Sequence, residues 1–169
     1  MENDAIIDAG WMQRCIELAR LGEGRTAPNP MVGCVLVQNG AALAEGWHAG
    51  PGLAHAEVDA LRKLGGRAPG ATLYVNLEPC CHYGRTPPCT DALLRSGVRR
   101  VVAGMVDPNP LVGWRGLAIL REAGIEVVVG VLAAECSQLN AEFVAAMSGA
   151  HRAPLAAEVV APRQVASGG

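Results

Sequence analysis

Three features are missing from this sequence of 169 residues: a long apolar run, a cluster of basic residues and a basic N-terminus. The longest apolar run, from Val127 to Ala134, contains a glycine and is far shorter than the ~18 residues that cross a bilayer. With 14 basic and 16 acidic residues, the chain is poorly suited to neutralise nucleic-acid phosphates. Its acidic start, Met1 to Asp4, differs from a secretory signal. We therefore expect a cytoplasmic protein that binds neither membranes nor nucleic acid.

The composition instead favours one folded domain. Half of the residues (50%) are hydrophobic and the net charge is only -2, which is typical of a chain with a buried core. There are six cysteines, and in a reducing compartment clustered cysteines bind metal or react more often than they pair. Cys15, Cys34 and Cys136 lie in apolar patterns and are expected in the core. The other three lie between residues 80 and 89.

The order of predicted elements indicates an α/β fold. Apolar spacing predicts a first helix from Asp4 to about Leu21, with Asp4 as its N-cap, and Asn39 and Gly40 predict a hairpin turn. From His55 onward helices alternate with strands, which implies parallel strand pairs with helices on both faces. The last helix is predicted from Ala133 to Met147. The other predicted elements are strands 31–38, 43–47, 72–77, 99–106 and 125–129 and helices 55–64, 90–96 and 116–123.

Two segments combine metal-binding side chains with a carboxylate. His55 and Glu57 open a predicted helix, while Cys80 and Cys89 lie in the loop between a strand and the next helix. One imidazole and two thiolates give Zn²⁺ three protein ligands and leave the fourth position for water, as catalytic sites require. Zinc lowers the pKa of that water to about 7, and Glu57 can carry its proton to a leaving amine. This pattern is typical of zinc-dependent deaminases.

Other interpretations of the same residues are open. His55 can be a helix cap, and Cys81 or His82 can supply a fourth ligand that closes a structural, non-enzymatic zinc site. Adjacent cysteines rarely chelate one ion well, which favours Cys80 and Cys89 as the ligand pair.

Five segments closely resemble the deaminase domain of the bifunctional riboflavin-biosynthesis deaminase/reductase family: residues 28–33, 55–58, 77–80, 82–89 and 107–110. Eight residues separate Cys80 from Cys89, where nucleoside and tRNA deaminases have two. The resemblance implies the cytidine deaminase-like fold, a three-layer sandwich around a mixed sheet of roughly five strands. It also implies hydrolytic removal of an amino group from a diaminohydroxyphosphoribosylaminopyrimidine with release of ammonia, and assembly into dimers or tetramers.

The same resemblance implies roles for individual residues. Glu57 corresponds to the proton shuttle and His55, Cys80 and Cys89 to the zinc ligands. The positions that match substrate contacts are Asn29, His48, His82 and Arg85. Each also has an ordinary interpretation: Asn29 as a turn residue between prolines, His48 as a structural histidine, and Arg85 as a solvated loop charge.

The sequence also departs from the family. The reductase half is absent, so we expect a deaminase domain over residues 1–148 and a tail rich in Ala, Pro and Gly over residues 149–169. Cys81 replaces the usual serine, and Trp114 replaces a small residue, although this tryptophan, like Trp11 and Trp47, is expected to pack in the protein. The alternative function is therefore the same chemistry on a related aminopyrimidine, pterin-like or nucleoside substrate.

Overall fold

A computed structural model of the protein describes residues 2–84, 86–110 and 112–150. Its helices are α1 (Glu2–Arg20), α2 (Ala56–Arg62), α3 (Cys89–Ser96), α4 (Arg115–Glu122), α5 (Ala133–Leu139) and α6 (Ala141–Ala150). Its strands are β1 (Gly33–Gln38), β2 (Ala41–Trp47), β3 (Thr72–Leu77), β4 (Arg100–Met105) and β5 (Glu126–Val129). Within these residues, every helix is too short or too polar to cross a bilayer.

The five strands form one mixed sheet in the order β2-β1-β3-β4-β5. β1 pairs antiparallel with both β2 and β3, while β3, β4 and β5 are parallel to one another. The β1–β2 hairpin turns at Asn39 and Gly40, whose φ angles of 51° and 76° are those of the turn that matches the twist of a hairpin. The predicted α/β class, the parallel pairs and the hairpin are confirmed.

The sheet is covered by helices on both faces, because successive residues of a strand point to opposite sides. From β1, Cys34 and Leu36 pack in a core cluster with residues of α2, α3 and α4. Val35 and Val37 belong to the opposite cluster, which includes residues of α1 and α5. These two cores on either side of the sheet give the three-layer sandwich that the family resemblance implies.

One edge of the sheet collects the segments that form the cavity described below. The carboxyl ends of β3 and β4 lie there, with Leu77 opposite Met105. Because β1 runs antiparallel to β3, its first residues meet the end of β3, with Cys34 opposite Val75. β2 ends at the same edge, since Gly33 faces Trp47. Residues before β1 and after β2, β3 and β4 therefore converge.

A glycine in β2 lets α2 approach the sheet closely. A Cβ added to Gly46 would overlap the Ala56 carbonyl oxygen and crowd the Ala60 nitrogen, both in the backbone of α2. Any larger residue would push α2 away from the sheet, because neither neighbour is a flexible side-chain end. Gly46 thus determines how closely α2, and His55 just before it, approach this edge of the sheet.

Three sequence-based expectations are wrong in detail. The first helix begins at Glu2, so Asp4 lies inside its first turn rather than at the N-cap. The last helical stretch is two helices rather than one, because it breaks at Asn140. Trp114 is 56% exposed and has a left-handed backbone (φ 71°) just before α4, so it does not pack in the core as expected.

Candidate metal centre and cavity

His55, Cys80 and Cys89 meet at the sheet edge. His55 lies at the N-cap of α2, Cys89 is the first residue of α3, and Cys80 follows the end of β3. The Nδ1 atom of His55 is 3.2 Å from Sγ of Cys89 and 3.5 Å from Sγ of Cys80. The ligand atoms of the three residues all lie within 4.8 Å of one another, so they could hold a metal ion.

The geometry of this group fits zinc. Tetrahedral zinc with Zn–S bonds of about 2.3 Å and Zn–N bonds of about 2.0 Å places neighbouring ligand atoms roughly 3.5–3.8 Å apart. The two N–S distances, 3.2 Å and 3.5 Å, are close to that separation. In the part of the chain that the structure describes, neither Cys81 nor His82 belongs to the group.

The two cysteines form a hydrogen-bonded pair. The hydrogen bond with Cys89 lowers the pKa of the Cys80 thiol, and a bond from the Cys89 backbone N–H and the contact with His55 act in the same direction. The same pairing, together with burial, raises the pKa of Cys89, and the contact with Cys80 raises the pKa of His55. Zinc binds cysteine as the thiolate, so binding a metal ion here would displace the thiol protons of this pair.

Glu57 lies next to the cysteine pair in the first turn of α2. Its side chain is only 3% exposed and lines the cavity described below. Burial, with a smaller contribution from the neighbouring Cys80, raises the pKa of Glu57 to about 7. Because it lies beside the three candidate ligands rather than among them, its carboxyl group is available to exchange a proton with a ligand in the cavity.

A cavity of about 300 Å³ opens over this cluster. It adjoins a second space of about 330 Å³, since several residues line both. We call the first the inner space and the second, which is lined by the exposed loop residues 51–53, the outer space. The residues shared by the two spaces are Asn29, His48, His55, Cys80 and His82. The inner space is further lined by residues from the ends of β3 and β4 and by Phe143 and Met147 of α6.

Two of the predicted substrate contacts are hydrogen-bonded to each other on the cavity wall. Nε2 of His48 lies 3.2 Å from Nδ2 of Asn29, and Nδ1 of His48 lies 3.1 Å from the Ala54 carbonyl oxygen. The His48 ring also packs edge-on against His55, with ring centroids 5.5 Å apart. Asn29 is half-buried and His48 is 4% exposed, so Asn29 is the more accessible of the two.

The other two predicted contacts belong to the loop between Cys80 and Cys89. His82 is exposed and lines both spaces. Arg85 lies outside the described residues, although its chain neighbours Gly84 and Thr86 line the outer space.

Sequence reasoning missed three buried polar residues that shape the cavity. Glu78 binds backbone N–H groups near the start of α4, and Asn76 and Asn140 both hydrogen-bond to the backbone around Met31. Glu78 and Asn76 lie in or next to the buried strand β3, and polar residues in such an apolar run are the signal that could have identified them. Asn140 lies in an apparently regular helical pattern and gives no such signal.

Comparison with known proteins agrees with this geometry. Residues 6–105 match the family described as the cytidine and deoxycytidylate deaminase zinc-binding region. The chain belongs to this deaminase family. The fold, the enzyme class and the zinc requirement that the sequence indicated are thereby confirmed at the level of the family.

Individual relatives of this deaminase share about half of its residues. It is 50% identical over 136 residues to the diaminohydroxyphosphoribosylamino-pyrimidine deaminase of Buchnera aphidicola (subspecies Acyrthosiphon pisum), covering 80% of this chain and 92% of that one. It is 54% identical to the riboflavin biosynthesis protein RibD of Escherichia coli over 83% of this chain, but spans only 38% of that protein. The solved structure of Acinetobacter baumannii RibD superposes with a TM-score of 0.83 at 51% identity, covering 85% of this chain and 40% of that one.

Proposed function

We propose that this deaminase removes an amino group from a phosphoribosylated diaminopyrimidine of riboflavin biosynthesis by hydrolysis. The observation that carries the proposal is the convergence of His55, Cys80 and Cys89 with the buried Glu57 at one end of a cavity of about 300 Å³. The substrate class is supported by the Buchnera aphidicola relative, whose name specifies that pyrimidine and which this chain covers almost completely.

In this proposal His55, Cys80 and Cys89 hold Zn²⁺. When bound by three side chains, zinc lowers the pKa of water to about 7 and so supplies a hydroxide nucleophile at neutral pH. Glu57 removes the proton from the attacking water and returns it to the departing nitrogen. A C–O bond forms, the C–N bond breaks, and the amino group leaves as ammonia. The amino group gains one proton from the water to leave as ammonia, and the other proton of the water ends on the ring nitrogen of the product, with the Glu57 carboxylate as the carrier.

Residues on the cavity wall would hold the heterocycle and its phosphoribosyl group. Asn29 offers an amide to a polar edge of the ring, with its orientation set by His48. His82 lies where the inner and outer spaces join and can contact either part of the ligand. We assign the phosphate to Arg85, because its chain neighbours Gly84 and Thr86 line the outer space and because a guanidinium group binds phosphate in a bidentate manner.

The test is ammonia release from diaminohydroxyphosphoribosylaminopyrimidine by the zinc-loaded protein. Glu57→Gln should retain zinc and lower kcat by about 10²–10⁴-fold, because the proton transfer is lost while the ligands are kept. Asp59→Asn changes a carboxylate on the same helix, where it pairs with Lys63 on the surface, and should leave kcat unchanged. If the zinc-loaded protein released ammonia only from a pterin or a nucleoside, the substrate would be reassigned. Release from none of them would refute the proposal.

We also propose that the enzyme works in the cytoplasm as a homodimer or homotetramer, and that residues 1–148 form its deaminase domain. Sedimentation analysis of the full chain should then give a mass of two or four chains. Removal of residues 149–169 should leave zinc content and kcat/KM unchanged, since this segment is assigned no part in the site. A monomeric, fully active enzyme would refute the first of these statements, and loss of activity on truncation would refute the second.

A further inference from the structure

Glu78 is a buried carboxylate whose partners are backbone N–H groups. Its side chain is 5% exposed. One oxygen accepts hydrogen bonds from Asp107 (3.0 Å) and Trp114 (2.9 Å), and the other accepts from Gly116 (2.9 Å) and Leu117 (3.3 Å). Four such bonds use nearly all of the acceptor capacity of a carboxylate. The Glu78 side chain therefore acts mainly as a hydrogen-bond acceptor for the backbone.

The four N–H groups come from the two ends of one loop. Asp107 follows β4, and the other three lie at the beginning of α4, where N–H groups have no partner inside the helix. A carboxylate in that position also interacts favourably with the positive end of the helix dipole. Asp107 at the first end, and Asn109 and Val112 between the two ends, line the inner cavity. Glu78 therefore fixes both ends of a cavity wall.

The same residue is joined to the metal-ligand segment. Glu78 precedes Pro79 and Cys80 directly, and its own N–H donates to the Met105 carbonyl oxygen at 2.9 Å. α4 approaches this segment so closely that a Cβ on Gly116 would overlap the Pro79 carbonyl oxygen. The cavity wall that contains Asp107, Asn109 and Val112 is thus linked to the ligand Cys80 through a single carboxylate.

We propose that Glu78 is a positioning residue that holds this wall at a fixed distance from the metal centre, and that it sets substrate affinity. The inference rests on the proposed function. Glu78 lines the inner cavity, but both of its oxygens are engaged by backbone N–H groups, so it does not exchange a proton with the substrate in this scheme. Its loss should therefore displace groups that surround the heterocycle while leaving Glu57 and the three candidate ligands in place.

The test compares Glu78→Gln with Asp8→Asn. Glutamine keeps the shape of the side chain but turns an NH₂ group toward two N–H donors, which breaks two of the four bonds. Asp8 is also a buried carboxylate, but it pairs with Arg100 at the opposite edge of the sheet. Glu78→Gln should raise KM for ammonia release by about tenfold, change kcat less than about threefold and keep zinc. The Trp114 and Gly116 amides bind different oxygens of Glu78, so the one that faces the new NH₂ group should exchange hydrogen faster. Asp8→Asn should lower stability without changing KM.

Glu78→Asp provides a second variant in case Glu78→Gln folds poorly. It keeps both oxygens on a shorter side chain, so KM should lie between that of the native protein and that of Glu78→Gln. Unchanged KM in the variants, or loss of zinc from Glu78→Gln, would overturn the inference while leaving the proposed function intact. If the native protein released no ammonia, the proposed function would fail, and the assignment of Glu78 to substrate affinity would fail with it.

Discussion

The hydrogen bond between His48 and Asn29 determines which way the Asn29 amide faces. The Ala54 carbonyl oxygen can only accept, so Nδ1 of His48 must carry the ring proton in the 3.1 Å bond between them. Nε2 is then an acceptor, and the NH₂ group of Asn29 must face it at 3.2 Å. The Asn29 carbonyl oxygen and the second amide hydrogen are left for a ligand.

Asn29→Asp should therefore weaken substrate binding. A carboxylate cannot donate to Nε2 of a neutral His48, so both the orientation of the side chain and its donor hydrogen are lost. We expect KM to rise about tenfold or more, which corresponds to the loss of one to two hydrogen bonds. Asn39→Asp makes the same change in the hairpin turn at the other edge of the sheet, where Asp tolerates the left-handed backbone, and should leave KM unchanged. A native KM in Asn29→Asp would show that the amide does not contact the substrate.

Single substitutions of Cys80, Cys81 and Cys89 should show, by the zinc content of each variant, which thiols bind zinc. Cys80→Ser and Cys89→Ser each remove one of the three ligand atoms that lie within 4.8 Å of one another, and zinc affinity should fall by at least about tenfold. Cys81→Ser, which changes the half-buried neighbour outside this group, should retain one zinc per chain. Metal analysis of the purified variants measures the difference. Loss of zinc in Cys81→Ser would instead support the interpretation of the cluster as a structural zinc site with four protein ligands.

Gly46→Ala should disturb the metal centre from the other side of α2. The added methyl group would overlap the helix backbone at Ala56, so α2 must move or the strand must deform. We expect the free energy of unfolding to fall by about 1–3 kcal/mol, with weaker zinc binding because His55 precedes this helix. Gly10→Ala is the control: nothing lies within 4 Å of its Cβ, and it should gain roughly 0.5–1 kcal/mol from helix propensity. Equal stability of the two variants in urea unfolding would contradict the close-approach argument.

The Asp8–Arg100 pair should make stability depend on acid pH. Burial tends to raise the pKa of Asp8, but hydrogen bonds from Arg100 and Tyr74 outweigh it and hold the pKa below 3.8. A lowered carboxyl pKa contributes stability above the unfolded-state value, and that contribution is lost as the pH falls through the folded-state value. Asp8→Asn should thus be about 1.5–3 kcal/mol less stable than the native protein at neutral pH, with the gap narrowing below about pH 4.

Urea unfolding at about pH 7 and about pH 3 measures this dependence. Glu126→Gln is the matched control, because Glu126 pairs with the same Arg100 through a side chain that is 60% exposed. Its effect should stay within about 0.5 kcal/mol. A constant gap between Asp8→Asn and the native protein at both pH values would refute the proposed role of the Asp8 charge.

Much of the fold could be predicted because local patterns and tertiary packing agree. The strand at residues 72–77 was predicted with its observed bounds, and Gly97 ends α3 with a φ of 83°, as a glycine C-cap does. The three candidate ligands could be named because a metal centre restricts residue type and spacing. Each of these features is determined by residues that are close in sequence, or by chemistry that allows few alternatives.

The rest could not be predicted because it depends on partners far away in the chain. Asn140 interrupts the last helical stretch and accepts a hydrogen bond from the backbone of Met31, 109 residues earlier. Apolar periodicity continues across this break, so the pattern alone predicts one helix. The exposed Trp114 is similar, because its left-handed backbone is held by a hydrogen bond from its N–H to Glu78, which follows β3 far earlier in the chain.

Met31 is held by side-chain amides from two distant parts of the chain. Its N–H donates to Asn140 at 2.8 Å, and its carbonyl oxygen accepts from Asn76 at 3.0 Å and from Asn140 at 2.9 Å. Asn29 lies only two residues earlier, so the cavity-lining turn that contains it is hydrogen-bonded, through Met31, to the break between α5 and α6. A proteolytic cut after Leu139 would therefore loosen the cavity-lining turn before β1, although that turn lies far earlier in the chain.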